Sequence, residues 1–197
     1  ILRNRSKGNC MDKALILDID GTIIPFLVDF ESLRERVRRL LGVNEELRPL
    51  GLSLEKLDVP EELKNQAWEL IEKEELESIN RLEPNDYEEN VETICNLHQS
   101  GFKIAIVTNR SSKTAIALLE KINLKNCVDL IITREDGLDR RRQLEKALGS
   151  LKAGWAGFLG DTVYDEKAAR ELNIPFRRVI SHRMLPSLIK ELIQQGR

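Results

Sequence analysis

The chain has 197 residues, of which 41% are hydrophobic and 32% are charged, and its formal net charge is −2. This length accommodates one core domain with a modest insertion. The small net charge argues against a role at a nucleic acid or a membrane surface. No apolar run reaches the roughly 18–20 residues that cross a bilayer. We therefore expect a globular protein with neither nucleic acid nor membrane as a partner, and its oligomeric state stays open.

The cysteines and the first residues suggest where the protein works. Cys10, Cys95 and Cys127 are widely spaced and form no CxxC pair, so the sequence predicts neither a disulfide framework nor a zinc site. We expect small apolar side chains and a reduced, cytoplasmic location. Met11 directly precedes the first apolar run. We expect it to be the natural start, with residues 1–10 as an N-terminal extension.

Five short apolar runs predict β-strands that are covered on both faces, because they are continuous rather than alternating. Helical patterns lie between the last four of them, and an amphipathic segment closes the chain. Such alternation predicts an α/β fold with a doubly wound parallel five-stranded sheet, Rossmann-like in architecture. The predicted strands are 14–20, 102–108, 128–133, 156–161 and 176–180, and the predicted helices are 112–123, 139–149, 165–172 and 185–195.

Residues 26–82 interrupt this alternation, because they contain helical patterns and no convincing strand. The first predicted helix covers 30–41, with Asp29 as its N-cap and Gly42 just past its end. The second covers about 60–80, and residues 43–59 connect the two. We therefore predict a small helical domain inserted after the first strand. The core domain would then comprise residues 11–25 and 83–197.

The first polar residue after several apolar runs is one that can carry chemistry. Asp18, Thr108 and Asp161 are each the first polar residue after an apolar run, at or near the end of a predicted strand, and Asp165 starts the helix after the fourth strand. Ligands of a doubly wound sheet bind at the carboxyl ends of its strands. We therefore expect these side chains to converge, with Asp20 two residues beyond Asp18.

A cluster of carboxylates is a site of hard oxygen ligands and suits Mg²⁺. The metal would also suit a phosphate and allow two neighbouring aspartates to remain ionised. One carboxylate can attack phosphorus, and a second carboxyl group can protonate the leaving alcohol. The N-terminus of the helix that begins near Ser112 would direct backbone N–H groups at the same anion.

Three motifs occur at these positions: DIDGT (18–22), the threonine that closes IAIVTN (104–109), and GDTVYD (160–165). Through them the chain resembles the haloacid dehalogenase superfamily of phosphohydrolases, and through residues 160–179 it resembles the phosphoglycolate phosphatase branch in particular. The likeness extends over nearly all of the chain from Met11 onward. It implies a Mg²⁺-dependent phosphatase of small phosphate monoesters that acts through an aspartyl-phosphate.

The resemblance also implies a role for each matching residue. Asp18 corresponds to the nucleophile and Asp20 to the general acid and base. Asp161 would bind the metal beside Asp18 and the Asp20 carbonyl, and Asp165 would do so through water or pair with the basic group. Thr108 and Asn109 would bind the phosphate, which completes the expected site.

One expected residue is absent, because the family carries a lysine before GDxxxD and residues 134–147 offer none at that place. The last two positions of the related pattern G-x-x-D-K overlay on Asp139 and Arg140, with Gly137 nearby, so Arg140 is the first candidate for the missing charge and Arg141 the second. Arginine keeps the charge but is bulkier and differently hydrated than lysine. The substitution leaves open whether the chain turns over substrate efficiently.

The insertion resembles a type 1 cap, with Pro25 and residues 82–86 as hinge strands. Closure of such a cap would exclude water and favour a small phosphorylated metabolite as the substrate. Two other functions remain open at this stage. One is a phosphotransferase or sugar-phosphate mutase with the same covalent step, and the other is a binding protein that kept the site without turnover.

Overall fold

The computed structural model describes residues 12–195. Five strands form one sheet in which every neighbouring pair is parallel, as the sequence predicts. They are β1 (Lys13–Leu17), β2 (Lys103–Val107), β3 (Leu130–Ile132), β4 (Trp155–Gly160) and β5 (Phe176–Arg178). The strand order is β3-β2-β1-β4-β5, so β1 lies at the centre. Strand β1 is shorter than predicted, and both aspartates of DIDGT lie beyond its end.

Eight α-helices occur within residues 12–195. They are α1 (Phe30–Leu41), α2 (Leu50–Lys56), α3 (Glu61–Ile79), α4 (Glu88–Gln99), α5 (Ser112–Lys121), α6 (Arg140–Leu151), α7 (Val163–Glu171) and α8 (Leu185–Gln195). The helices predicted from apolar periodicity are confirmed, with ends displaced by a few residues. Among the helices of the described chain, none is both long and apolar enough to cross a bilayer.

The sheet is covered on both faces, which explains its continuous apolar runs. Successive side chains of a strand point to opposite faces, so Leu15 and Leu17 pack with α4, α5 and α8. Ala14 and Ile16 pack on the other face with α6 and α7. These four side chains of β1 are fully buried, whereas the side chain of Lys13 at its start is half-buried. This arrangement confirms the doubly wound α/β fold.

Helices α1–α3 enclose an apolar cluster of their own, built around residues such as Leu33, Leu54 and Ile71. Helix α1 begins as predicted, because the Asp29 side chain accepts a hydrogen bond from the backbone N–H of Ser32 at 3.0 Å. It ends at Gly42, whose φ of +66° is the left-handed conformation of a helix C-cap. The segment inserted after β1 is thus helical with a separate hydrophobic core.

Two helices were not predicted, and the predicted hinge strands are wrong. Helix α2 lies in the segment expected to be a connection, and its seven residues are too few to show a clear period. Helix α4 buries only Asn90 and Ile94 completely, so its apolar stripe is weak. Pro25 belongs to no strand, and Pro84–Asp86 forms a 3₁₀ turn.

The structure also corrects the prediction for the cysteines, because Cys95 and Cys127 form a disulfide. Cys95 lies on α4, and Cys127 ends the 3₁₀ turn Lys125–Cys127 that follows α5. They are 32 residues apart, with their Cα atoms 5.2 Å from each other. No sequence signature marks a pair at that spacing, since tertiary packing brings the two elements together. Cys10 and the predicted extension of residues 1–10 lie outside the described residues.

Candidate active site

Three aspartates converge at the carboxyl edge of the sheet. Asp18 follows β1 and Asp161 follows β4, and these strands are parallel neighbours in which Leu17 faces Leu159. Asp165 lies in the first turn of α7. One carboxylate oxygen from each aspartate lies within 4.8 Å of the others. The structure therefore brings together three of the four predicted metal-binding residues.

The electrostatics of this cluster call for positive charge. Burial raises the pKa of Asp18 well above its ordinary value, and the carboxylates of Asp165, Asp161 and Asp20 add to the effect, against the opposing charge of Arg140. Burial and then Asp165 raise the pKa of Asp161 to about 6. No group in residues 12–195 hydrogen-bonds Oδ1 of Asp161. Buried carboxylate oxygens that lack a partner fit a hard divalent cation such as Mg²⁺.

Asp165 is completely buried and held by the turn that starts α7. Its Oδ2 accepts hydrogen bonds from the backbone N–H of Thr162 at 3.0 Å and from its hydroxyl at 2.6 Å. A Cβ at Gly160 would lie 2.7 Å from the same oxygen, so only glycine permits this approach. Asp165 Oδ1 lies 2.6 Å from Nε of Arg140. Asp165 is thus the partner of a basic group.

Arg140 occupies the place at which the sequence lacks the expected lysine. It is the first residue of α6, and its Nη2 donates to Oδ1 of Asp18 at 2.9 Å. Its side chain is 12% exposed, whereas that of Arg141 is 54% exposed and pairs with Glu145. Burial opposes the charge of Arg140, but Asp18 and Asp165 outweigh it and raise its pKa. The structure therefore favours Arg140 over Arg141.

The predicted phosphate-binding residues follow β2 at the same edge. Thr108 is buried, and its hydroxyl accepts a hydrogen bond from the backbone N–H of Arg110 at 3.2 Å. Asn109 is exposed at the rim, and its Oδ1 accepts from Nε2 of Gln143 at 3.1 Å. The same amide donates to the carbonyl oxygens of Thr108 and Gly137. Gln143 thus ties the loop after β2 to the loop before α6.

Asp20 lies apart from the other aspartates, and its side chain is not in their cluster. Its two oxygens accept hydrogen bonds from Nε and Nη2 of Arg110, each at 2.7 Å. The turn after Asp20 depends on Gly21, whose φ is +76° and whose position leaves no room for a Cβ beside the ring of Phe26. The structure thus gives the proposed acid a basic partner that the sequence did not predict.

Arg110 and Glu75 also line the site, and sequence reasoning missed both. Burial opposes the charge of Arg110, but Asp20 and then Glu75 outweigh it and raise its pKa. Arg110 is the second residue after Thr108, which follows β2, so its place near the site could have been inferred from its distance to the strand end. Glu75 is buried on α3, four residues after Ile71 and eight after Ala67. A charged residue on an apolar stripe is the signal that could have revealed it.

A cavity of about 720 Å³ lies between the insertion and the sheet edge, and all seven predicted site residues except Asp165 line it. Its apolar wall includes Phe26, Phe30 and Trp68. The Arg134 guanidinium lies 4.9 Å from the centre of the Trp68 ring. A ligand in this space would contact both the sheet edge and the inserted helices.

The sequence profile of haloacid dehalogenase-like hydrolases matches residues 15–179. The chain belongs to this family. It is 30% identical, over 156 residues, to the pyrophosphatase PpaX of Halalkalibacterium halodurans, covering 71% of this chain and 69% of that protein. The resemblance inferred from the three motifs is confirmed, as is the prediction that the chain is an enzyme of this hydrolase class.

Solved structures of haloacid dehalogenase-like proteins share the fold. A subfamily IA hydrolase from Geobacter sulfurreducens gives a TM-score of 0.58 at 18% identity, over 90% of this chain and 99% of that one. A protein assigned as a phosphoglycolate phosphatase, from Lactobacillus plantarum, gives 0.60 at 17% identity, with 90% and 89% covered. One assigned as a β-phosphoglucomutase, from Thermotoga maritima, gives 0.58 at 17%, with 92% and 99% covered.

Proposed function

We propose that this haloacid dehalogenase-like hydrolase is a Mg²⁺-dependent phosphatase that hydrolyses a small phosphate monoester through an aspartyl-phosphate. The observation that carries the proposal is the position of Asp18. It lies at the end of the central strand, in contact with Arg140, among carboxylates that need a cation, and it lines the cavity. Family membership and the pyrophosphatase relative support phosphate chemistry.

The reaction would proceed in two steps. An oxygen of Asp18 attacks phosphorus as the bond to the leaving oxygen breaks, and the leaving oxygen takes a proton from Asp20. Asp20 then takes a proton from water, whose oxygen bonds to phosphorus while the Asp18–phosphorus bond breaks. Inorganic phosphate leaves, and both aspartates return to their starting state. Thr108 and Asn109 would hold phosphoryl oxygens.

The carboxylates of Asp18 and Asp161 and the backbone carbonyl of Asp20 would hold Mg²⁺, with Asp165 beside them. The ion would neutralise charge on the phosphoryl group and the carboxylates. Arg140 would hold Asp18 in place and contribute a second positive charge. The contact between this guanidinium and Asp18 supports an enzyme over a binding protein that kept the site without turnover.

The insertion, residues 26–82, would act as the cap over the core of residues 11–25 and 83–197. Its apolar cavity wall would exclude water from the attack of Asp18, and the enclosed volume suits a small phosphorylated metabolite. A cytoplasmic location stays a prediction. The disulfide of Cys95 and Cys127 weighs against it, because disulfides are rare in reduced compartments.

A phosphotransferase or sugar-phosphate mutase is the second candidate, favoured by the likeness to the Thermotoga maritima protein. Incubation with a sugar phosphate and an excess of sugar distinguishes the two. Hydrolysis releases one phosphate for each ester consumed, whereas transfer yields a new sugar phosphate without free phosphate.

An assay with an aryl phosphate, with Mg²⁺ or with EDTA, tests the phosphatase proposal. We expect hydrolysis that requires Mg²⁺ and that Asp18→Asn abolishes. Asp58→Asn is the control, because Asp58 is exposed in the insertion and does not line the cavity. Absence of metal-dependent hydrolysis and transfer in the wild type, or full activity of Asp18→Asn, would contradict the mechanism.

A further inference from the structure

The carboxylate of Asp20 is held in a fork by Arg110. Two nitrogens of one guanidinium each donate to a different oxygen of Asp20, both at 2.7 Å. Bidentate arginine–carboxylate pairs fix the plane of the carboxylate as well as its position. Each carboxylate oxygen has two acceptor sites, so the fork leaves one site on each oxygen free for a proton. The pair therefore orients Asp20 without blocking it.

Arg110 is in turn held by the inserted helix α3. Its Nη1 donates to the backbone carbonyl of Glu75 at 3.3 Å, and its Nη2 donates to the hydroxyl of Ser78 at 3.4 Å. That hydroxyl donates to the same Glu75 carbonyl at 2.6 Å. The Arg110 side chain is only 2% exposed. The helix thus supplies the surroundings that keep this arginine in one orientation.

Further polar contacts join α3 to the core beside this arginine. The Glu75 carboxylate accepts hydrogen bonds from Nη1 of Arg134 at 3.0 Å and from the hydroxyl of Thr114 at 2.7 Å. Glu75 is 5% exposed. Removing one partner from a buried charged network leaves an uncompensated charge, which is costly. The same residue of α3 therefore anchors the helix to the core through its carboxylate and holds Arg110 through its backbone carbonyl.

We propose that Arg110 is a positioning residue for Asp20, and that the inserted helix α3 sets the orientation of this acid by holding Arg110 through Glu75 and Ser78. The inference rests on the proposed phosphatase function. It assigns the insertion a second role besides covering the cavity, because the helix that covers the site also completes the support of its acid. Arg110 acts through Asp20 and need not touch the substrate.

Two substrates that differ in their need for a proton test the proposal. An aryl phosphate releases a stable phenolate and needs little protonation, whereas a simple alkyl phosphate releases a strongly basic alkoxide. Arg110→Lys keeps the charge but loses the fork. We expect its kcat/KM, which reports only the steps up to formation of the aspartyl-phosphate, to fall roughly 100-fold on the alkyl ester and less than about 5-fold on the aryl ester, because a leaving phenolate needs little help from a general acid. Asp20→Asn should show the same selectivity.

Two further variants keep the test interpretable. Ser78→Ala removes one support of Arg110 without removing a charge, and we expect the same preference for the aryl ester with a smaller loss. Arg36→Lys is the matched control, because Arg36 pairs with Glu74 of α3 at 2.7 Å but does not line the cavity. We expect its kcat/KM on both esters to equal that of the wild type.

Equal losses of kcat/KM on both esters would overturn the positioning role while leaving the phosphatase function standing. Should Arg110→Lys fail to fold, selectivity in Ser78→Ala decides the question, and its absence there counts against the proposal. If the wild type hydrolysed neither ester, or if Asp18→Asn remained active, both the proposed function and this inference would be wrong.

Discussion

Replacement of Arg140 by alanine is the most informative single change, because it tests how the buried acids are stabilised. Arg140 contacts Oδ1 of Asp18 at 2.9 Å and Oδ1 of Asp165 at 2.6 Å. Both carboxylates are almost completely buried. In the metal-free protein the substitution leaves them without this cation, and we expect a large loss of stability.

The expected magnitude follows from the burial of the pair. Removing one partner of a buried ion pair costs about 3–5 kcal/mol, a large share of the roughly 5–15 kcal/mol that stabilises a typical domain. For a chain of about 200 residues, each kcal/mol lowers Tm by about 2–4 °C, so Arg140→Ala should melt roughly 6–20 °C below the wild type. We expect kcat to fall as well, since Asp18 loses the group that holds it.

The stability lost in Arg140→Ala should depend on pH. Burial already raises the pKa of Asp18 above its ordinary value, and loss of the Arg140 charge raises it further. A carboxyl group whose pKa is raised in the folded state contributes stability below its unfolded pKa and loses it as pH rises through the folded pKa. The difference in unfolding free energy between the variant and the wild type should therefore be largest at neutral pH and become smaller on acidification.

Thermal and urea unfolding in EDTA, at pH 7 and pH 5, measure these effects. Arg141→Ala is the matched control, because Arg141 is the next residue but is 54% exposed and pairs with two surface acids, Glu145 and Glu171. We expect it to cost less than about 0.5 kcal/mol. Equal stability of the two variants at pH 7, or a gap that widens at pH 5, would refute this account of the charge balance.

Three further predictions concern other parts of the molecule. Mg²⁺ should raise the Tm of the wild type, because a ligand that binds only the folded state stabilises that state. It should raise the Tm of Asp161→Asn much less, and equal rises would argue against a metal role for Asp161. Reduction of the Cys95–Cys127 bond, which joins residues 32 apart, should lower the free energy of unfolding by about 4 kcal/mol, because the unfolded chain regains the entropy of an open loop. Urea unfolding with and without reductant measures this loss, and the Cys95→Ser/Cys127→Ser variant should not respond to reductant. A hydrogen bond from Lys146, with another from the backbone, lowers the pKa of Asp136. The ionised carboxylate therefore stabilises the fold above the unfolded-state pKa, by less than about 1 kcal/mol at this partly exposed site, and this stabilisation is lost as pH falls through the folded-state pKa. Urea unfolding should show Asp136→Asn as stable as the wild type in acid and less stable at pH 7.

Much of the site was predictable from sequence because it depends on strand ends. The continuous apolar runs indicate a parallel sheet, and the carboxyl ends of its strands share one edge. Asp18, Thr108 and Asp161 therefore meet although they are far apart in the chain. The sequence favoured Arg140 over Arg141 less clearly. Arg140 lies four residues before Leu144 and seven before Ala147, and this spacing puts it on the buried face that α6 turns to the sheet.

The sequence by itself determined the sheet, the helical insertion and the acids at the strand ends, because local periodicity and parallel topology are enough to place them. Only the tertiary structure decided which groups hold those acids. The Arg110 fork on Asp20, its support by Glu75 and the bond between Cys95 and Cys127 join elements whose contact depends on how α3 and α4 pack. Neither side-chain direction nor the distance between separate helices follows from a local pattern, so these pairings could be read only from the folded chain.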